Sequence, residues 1–164
     1  MPRSMADPPP SCDPRDVLAE LGQGDLARRS GDHLAVERAG YRTLVDTAAR
    51  EPGVARDRIA VVGVSEGAIV ALTETDPRVR AIVADSGYRR AAGTTGSPVL
   101  LLGFINDPNV AHARLAAFAG GERAAGAPVE THFYAGTGHV ALLTPATTTD
   151  ATDRAFAFLG RVLR

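Results

Sequence analysis

The chain has 164 residues, of which 45% are hydrophobic and 23% charged, and its net charge is −1; these values suit one globular domain and give no broad electrostatic reason to bind nucleic acid or a membrane surface. Cys12 is the only cysteine, which excludes a disulfide within the chain and a cysteine-rich zinc site. All 18 basic residues are arginines, which excludes Schiff-base chemistry and a serine–lysine dyad.

The first part of the chain is rich in proline. Residues 1–16 hold five of the eleven prolines, and because proline fixes φ and lacks an N–H, this segment is predicted to be a disordered arm. Residues 17–164 are predicted to form a single domain, although residues 17–21 give only a weak helix or strand signal. No apolar run approaches the ~18 residues of a membrane span and no apolar segment typical of a signal peptide follows the N-terminus, so we expect a cytoplasmic location.

The first strong element is a helix. Apolar residues recur at three- and four-residue steps after Asp32, which predicts a helix that ends before the Pro-Gly pair at 52–53. Residues 58–63 then form a short apolar run rich in β-branched side chains, which is typical of a strand covered on both faces. A helix that begins at Glu66 and ends near residue 73 is predicted to follow.

The alternation of strand and helix continues to the C-terminus. Further buried strands are predicted at residues 79–84, 98–104 and 129–135, and amphipathic helices at residues 109–125 and 150–163. Strands that alternate with helices indicate right-handed β-α-β units and a parallel sheet. The predicted fold class is therefore α/β, with a mostly parallel sheet flanked by helices.

A serine between two glycines follows the first predicted strand. The motif Gly63-Val64-Ser65-Glu66-Gly67 lies between an apolar strand and an apolar helix, which is the context of a nucleophile elbow. The glycines allow a sharp turn that projects the Ser65 hydroxyl, and the backbone N–H of Glu66 would face a developing oxyanion. The alternative is a chance occurrence of this pentapeptide in a glycine-rich chain.

A nucleophilic serine needs a base, and the base needs an acid that orients it. Asp107 follows the third predicted strand, and His139 follows the fourth. Because the carboxyl ends of parallel strands meet at one end of a sheet, Ser65, Asp107 and His139 are predicted to form a catalytic triad. The alternatives are a turn or cap for Asp107 and a surface loop for His139. Asp85, at the end of the second strand, is a second candidate for the acid.

Three segments resemble the α/β-hydrolase superfamily, nearest to its dienelactone-hydrolase-like and serine esterase members. They are RDRIAVVGVSEG at 56–67, the strand and turn from Pro98 to Asp107-Pro108, and FYAGTGH at 133–139. The order serine, aspartate, histidine along the chain matches as well. Dienelactone hydrolases proper carry a cysteine nucleophile, so the serine at position 65 favours esterase-like relatives.

The resemblance implies a serine hydrolase that cleaves a carboxylic ester, a thioester or a lactone through an acyl-enzyme on Ser65, with no cofactor and no metal. It also implies a shortened fold, because the strands that family members place before the nucleophile strand have no convincing counterpart. No His-Gly pair precedes Ser65 to supply a second oxyanion donor. The alternatives are a non-catalytic, hydrolase-derived interaction module and a truncated fragment.

A shortened sheet would leave one edge of the nucleophile strand unpaired. Unpaired strand edges invite pairing with another strand. We therefore expect the strand that begins at Ile59 and includes Val62 to associate with a second copy or with a partner chain. The expected ligand is a small ester-like molecule, and neither nucleic acid nor a membrane is an expected partner.

Overall fold

The structure of the protein, a computed structural model, describes residues 26–73, 76–89 and 94–164. The chain divides into two compact units, Met1–His33 and Leu34–Arg164. The predicted arm at residues 1–16, its boundary with the predicted domain, and residues 17–21 lie outside the described residues. The described elements are α1 (Leu26–Ala48), β1 (Ile59–Val64), α2 (Glu66–Ala71), β2 (Val79–Asp85), β3 (Val99–Asn106), α3 (His112–Ala124), β4 (Val129–Thr137) and α4 (Thr148–Val162).

The strands form one parallel sheet in the order β1-β2-β3-β4. The register aligns Val62 with Val83, and Val83 with Leu100. On the other side of β3, Leu101 is paired with Thr131 of β4. All the pairs run parallel, so the carboxyl ends of the strands lie at one end of the sheet. The predicted α/β class, with a parallel sheet flanked by helices, is confirmed.

Helices cover both faces of the sheet. One face carries α1, α2 and α3, which contribute Val45, Ala68 and Leu115 to a continuous apolar core. The other face carries α4, which contributes Ala151 and Phe158. Because β2 and β3 are covered on both faces, they are buried along most of their length, as expected for inner strands of a parallel sheet. The two cores hold the carboxyl ends of the strands in fixed positions.

The first helix is longer than its sequence pattern predicts. It begins at Leu26 rather than near Asp32. The residues at 26–29 are leucine, alanine and two arginines, which favour helix, and the single glycine at position 31 costs only about 1 kcal/mol. The other predicted elements agree with the structure to within a few residues.

The strand β1 lies at the edge of the sheet. Ile59 and Ser65 both donate their backbone N–H groups toward β2, at 3.0 and 2.8 Å. Because the backbone groups of a strand alternate in direction, those of Ala60, Val62 and Val64 face the opposite edge, where the described ranges contain no further strand. A groove of about 260 Å³ beside this edge is lined by apolar residues of α1 and β1, and Val62 is 51% exposed.

Candidate active site

Ser65 lies in the tight turn between β1 and α2. Its φ is 52° and its ψ is −118°, which is a strained conformation for a residue with a side chain. Gly63 makes the turn possible, because a Cβ at that position would lie 2.3 Å from the carbonyl oxygen of Gly67. The Tyr41 hydroxyl of α1 donates to that same oxygen at 3.2 Å. The turn has the geometry of a nucleophile elbow, and Glu66 is the first residue of α2.

Three side chains form one hydrogen-bonded chain beyond the ends of β1, β3 and β4. Ser65 Oγ lies 2.8 Å from His139 Nε2, and His139 Nδ1 lies 2.9 and 3.0 Å from the two carboxylate oxygens of Asp107. The Asp107 side chain is completely buried, whereas that of His139 is 25% exposed. A carboxylate beside Nδ1 favours the tautomer that carries its proton there and leaves Nε2 able to accept the serine proton. The structure thus brings together the three residues that the sequence predicts as a triad.

The Asp107 carboxylate is oriented by its own turn. Its Oδ1 accepts the backbone N–H of Asn109 at 2.8 Å and that of Val110 at 3.0 Å. A carboxylate that binds the N–H groups two and three residues ahead stabilises a turn, so α3 begins at His112 rather than at residue 109. The Asp107 side chain therefore stabilises its own turn and also binds the His139 ring.

The segment before His139 packs closely against β3. A Cβ at Gly138 would lie 2.7 Å from two ring carbons of Phe104, so a larger residue has no room there. Gly136 adopts a φ of 97°, a conformation that glycine accepts without strain. β4 continues through this glycine to Thr137, two residues beyond its predicted end. The backbone that carries the imidazole is therefore held by packing as well as by hydrogen bonds.

Asp85, the second candidate for the acid, has different partners. Its side chain is fully buried, and its Oδ2 accepts the backbone N–H of Leu142 at 2.7 Å. Burial raises the pKa of the Asp85 carboxyl, against the opposing effect of hydrogen bonds from the N–H groups of Leu142 and Ala141 and from Ser86. The carboxylate that accepts a hydrogen bond from the His139 ring is that of Asp107, whereas the Asp85 carboxylate accepts from the backbone that follows the histidine.

Sequence reasoning assigned no role to Tyr41 or Ser86, although both contact this region. Ser86 has a φ of 57°, and its hydroxyl donates to the carbonyl oxygen of His139. Neither contact has a signature in the sequence, because each joins residues that are distant along the chain.

In the described ranges, histidine, cysteine and acidic side chains form no cluster of three or more suited to a metal ion. None of the described helices combines the length and apolar character of a membrane span.

Replacement of Gly63 by alanine is expected to destabilise the fold by about 1–3 kcal/mol, the usual cost of overpacking, because the added methyl group would collide with backbone. Gly67→Ala is the matched control. A Cβ at Gly67 makes only an ordinary contact, 3.5 Å from the Tyr41 hydroxyl, and alanine in a helix is favoured over glycine by about 1 kcal/mol. Urea unfolding measures both variants. Equal stability of the two would contradict the close approach within the turn.

Comparison with protein-family models and with curated proteins finds no match. Among solved structures, the chain is similar to esterase PE8, with a TM-score of 0.63 and 24% identity over 79% of this chain and 62% of that chain. A carboxylesterase from Bacillus cereus aligns with a TM-score of 0.63 and 20% identity over 80% of this chain and 63% of that chain. A dienelactone hydrolase-like promiscuous phosphotriesterase from metagenomic libraries aligns with a TM-score of 0.69 and 18% identity over 91% of this chain and 69% of that chain. The chain therefore has the α/β-hydrolase fold.

Proposed function

We propose that the protein is a serine hydrolase that cleaves a carboxylic ester, a thioester or a lactone. The observation that carries the proposal is the hydrogen-bonded chain from Ser65 through His139 to Asp107. A serine with a purely structural role requires neither a ring nitrogen 2.8 Å from its oxygen nor a strained φ of 52°. Structures that the fold resembles include an esterase, a carboxylesterase and an acyl-protein thioesterase, which supports the same class of chemistry.

In the acylation step, Ser65 Oγ attacks the carbonyl carbon of the substrate while its proton passes to His139 Nε2. Asp107 keeps the second ring proton on Nδ1 and stabilises the imidazolium that forms. The backbone N–H of Glu66 donates to the oxyanion. The imidazolium then protonates the alcohol or thiol leaving group as the C–O or C–S bond breaks, and the acyl group remains on Ser65.

In the deacylation step, a water molecule attacks the acyl carbon while His139 accepts its proton. The proton returns to Ser65 Oγ as the carboxylic acid leaves, so the sum of both steps is ester plus water giving acid plus alcohol. For a lactone, the alcohol and the acid remain parts of one molecule. These steps use only side chains, backbone and water. The cytoplasmic location expected from the sequence stays a prediction.

Two assays test the proposed activity. The purified full chain is expected to release p-nitrophenolate from short-chain p-nitrophenyl esters and to form one covalent adduct with a fluorophosphonate probe. Mass spectrometry of proteolytic peptides is expected to locate that adduct on Ser65. Heat-denatured protein serves as the control for spontaneous hydrolysis. If the native chain shows neither turnover nor an adduct, the serine hydrolase proposal is wrong and an interaction module becomes the better interpretation.

A second candidate function, that of an interaction module, is favoured by the outer edge of β1, beside which the described residues form no further strand. We propose that this edge pairs with the same edge of a second copy of the chain. Antiparallel pairing centred on Val62 places the outward backbone groups of Ala60 in one copy opposite those of Val64 in the other. The same register brings Arg58 of one copy toward Glu66 of the other, so opposite charges meet at both ends of the paired strands. Such an interface is self-complementary, as a two-fold dimer requires.

Sedimentation equilibrium at micromolar concentration tests this pairing. The wild type is expected to be a dimer, and Val62→Lys is expected to be a monomer, because a lysine on a strand edge opposes pairing. Val54→Lys is the matched control, since Val54 is also exposed, at 41%, but lies before β1. It is expected to remain a dimer. A wild type that stays monomeric, or a Val62→Lys variant that stays dimeric, would contradict the proposed interface.

A further inference from the structure

Asp85 and Ser86 connect the nucleophile turn to the histidine loop, which we define as residues 139–142. The carbonyl oxygen of Asp85 accepts the backbone N–H of Ser65 at 2.8 Å, and the Asp85 carboxylate accepts the N–H of Leu142 at 2.7 Å. Ser86 Oγ lies 3.1 Å from Asp85 Oδ1 and donates to the carbonyl oxygen of His139. Both residues are completely buried. Two consecutive residues thus contact the backbone of the nucleophile and the backbone of the base.

The hydrogen atoms available in this cluster determine how it is bonded. The Ser86 hydroxyl has one hydrogen and two neighbouring acceptors, and the His139 carbonyl oxygen can only accept. That one hydrogen therefore serves the His139 carbonyl oxygen or Asp85 Oδ1, which lies 3.1 Å from Ser86 Oγ. The Ser86 hydroxyl thus links the Asp85 carboxylate to the His139 carbonyl, and we call this set of contacts the relay.

We propose that Asp85 and Ser86 are positioning residues, which hold the His139 imidazole in line with Ser65 Oγ through this relay and through the hydrogen bond to Leu142. The inference rests on the proposed hydrolase function and adds to it two residues that act through the backbone of the histidine loop. Ser86 is itself anchored, because its N–H donates to the carbonyl oxygen of Leu102 on β3 at 3.0 Å. Its positive φ of 57° is a conformation that surrounding contacts must maintain.

Three variants separate a positioning role from a catalytic one. Asp85→Asn keeps an oxygen to accept the Leu142 N–H and an N–H to donate to Ser86 Oγ, so kcat is expected to stay within a few-fold of wild type. Asp85→Ala removes both bonds, and kcat is expected to fall about 10²-fold, the effect of a small misplacement of a reacting group. Ser86→Gly removes the hydroxyl but accepts the positive φ, and kcat is expected to fall about 10-fold, the equivalent of one hydrogen bond. KM is expected to change little in all three.

Amide hydrogen exchange at Leu142 provides a measurement that does not require activity. Its exchange is expected to accelerate in Asp85→Ala and to stay slow in Asp85→Asn. If the wild type has no hydrolase activity, the proposed function fails, and the exchange rates still decide whether Asp85 holds the loop. If the wild type is active, two results would overturn the positioning role. One is an Asp85→Ala variant whose Leu142 exchange rate and kcat both equal those of the wild type. The other is an Asp85→Asn variant whose kcat is as low as that of Asp85→Ala. Should Asp85→Ala fail to fold, an unchanged kcat in Ser86→Gly overturns the relay.

Discussion

Replacement of Ser65 by alanine is expected to lower kcat for ester hydrolysis by about 10⁶-fold, the loss seen when a triad nucleophile is removed. Without the Ser65 hydroxyl no acyl-enzyme can form, and His139 Nε2 loses the partner that lies 2.8 Å away. The same variant is expected to give no fluorophosphonate adduct. Because the side chain lost is small and partly exposed, the free energy of unfolding is expected to change little. Steady-state kinetics, labelling and urea unfolding measure the three quantities.

A serine outside the site provides the control for Ser65→Ala. Ser97 donates its hydroxyl to the carbonyl oxygen of Val79 at 2.7 Å, at the amino end of β2, so Ser97→Ala is expected to retain kcat and the adduct. The double variant Ser65→Ala with His139→Ala is expected to be no slower than either single variant, since triad residues act as one unit. An adduct that persists in Ser65→Ala, or activity that survives in it, would show that another residue is the nucleophile.

The sequence pattern was sufficient to predict the sheet because its inner strands, β2 and β3, are buried on both faces. Runs such as 79–84 and 98–104 have no polar alternation, and the structure shows why, since helices lie on either side of β2 and β3. The start of α1 was not predictable in the same way. The apolar spacing after Asp32 indicated a beginning there, but the helix extends back to Leu26, because helix propensity over the preceding turn outweighs one glycine.

The choice between Asp107 and Asp85 could not be made from sequence order, since both stand at the end of a strand. Asp85 is still within β2, so alternation places its side chain on the same face as Ala81 and Val83, which pack toward α4. The backbone after His139 lies on that face and meets the Asp85 carboxylate. Asp107 lies beyond the end of β3. The backbone N–H groups that donate to its carboxylate orient that carboxylate toward the imidazole. The different orientations of Asp85 and Asp107 depend on contacts between residues distant along the chain. The contact of Ser86 with His139 does so as well.

Replacement of Asp107 by asparagine is expected to lower kcat by about 10⁴-fold, as in triads whose histidine is held in the wrong tautomer. The hydrogen bonds around Asp107 explain why the new amide cannot adapt by rotating. The N–H groups of Asn109 and Val110 both reach Oδ1, so the amide oxygen must occupy that position. The NH₂ group then takes the place of Oδ2, which lies 2.9 Å from His139 Nδ1.

The amide oxygen, 3.0 Å from Nδ1, already accepts two backbone N–H groups, whereas the nearer NH₂ group can only donate. The His139 ring is therefore expected to accept at Nδ1 and carry its proton on Nε2. Nε2 then cannot take the proton of Ser65, although the three side chains remain in place. Nitrogen-15 NMR of the imidazole is expected to report this change of tautomer alongside the loss of kcat. Asp85→Asn, which leaves the Asp107 carboxylate intact, is the matched control and is expected to be far more active. If Asp85→Asn were the slower of the two, the acid that orients His139 would have to be Asp85, and the hydrogen-bonded chain through Asp107 would not be the catalytic one.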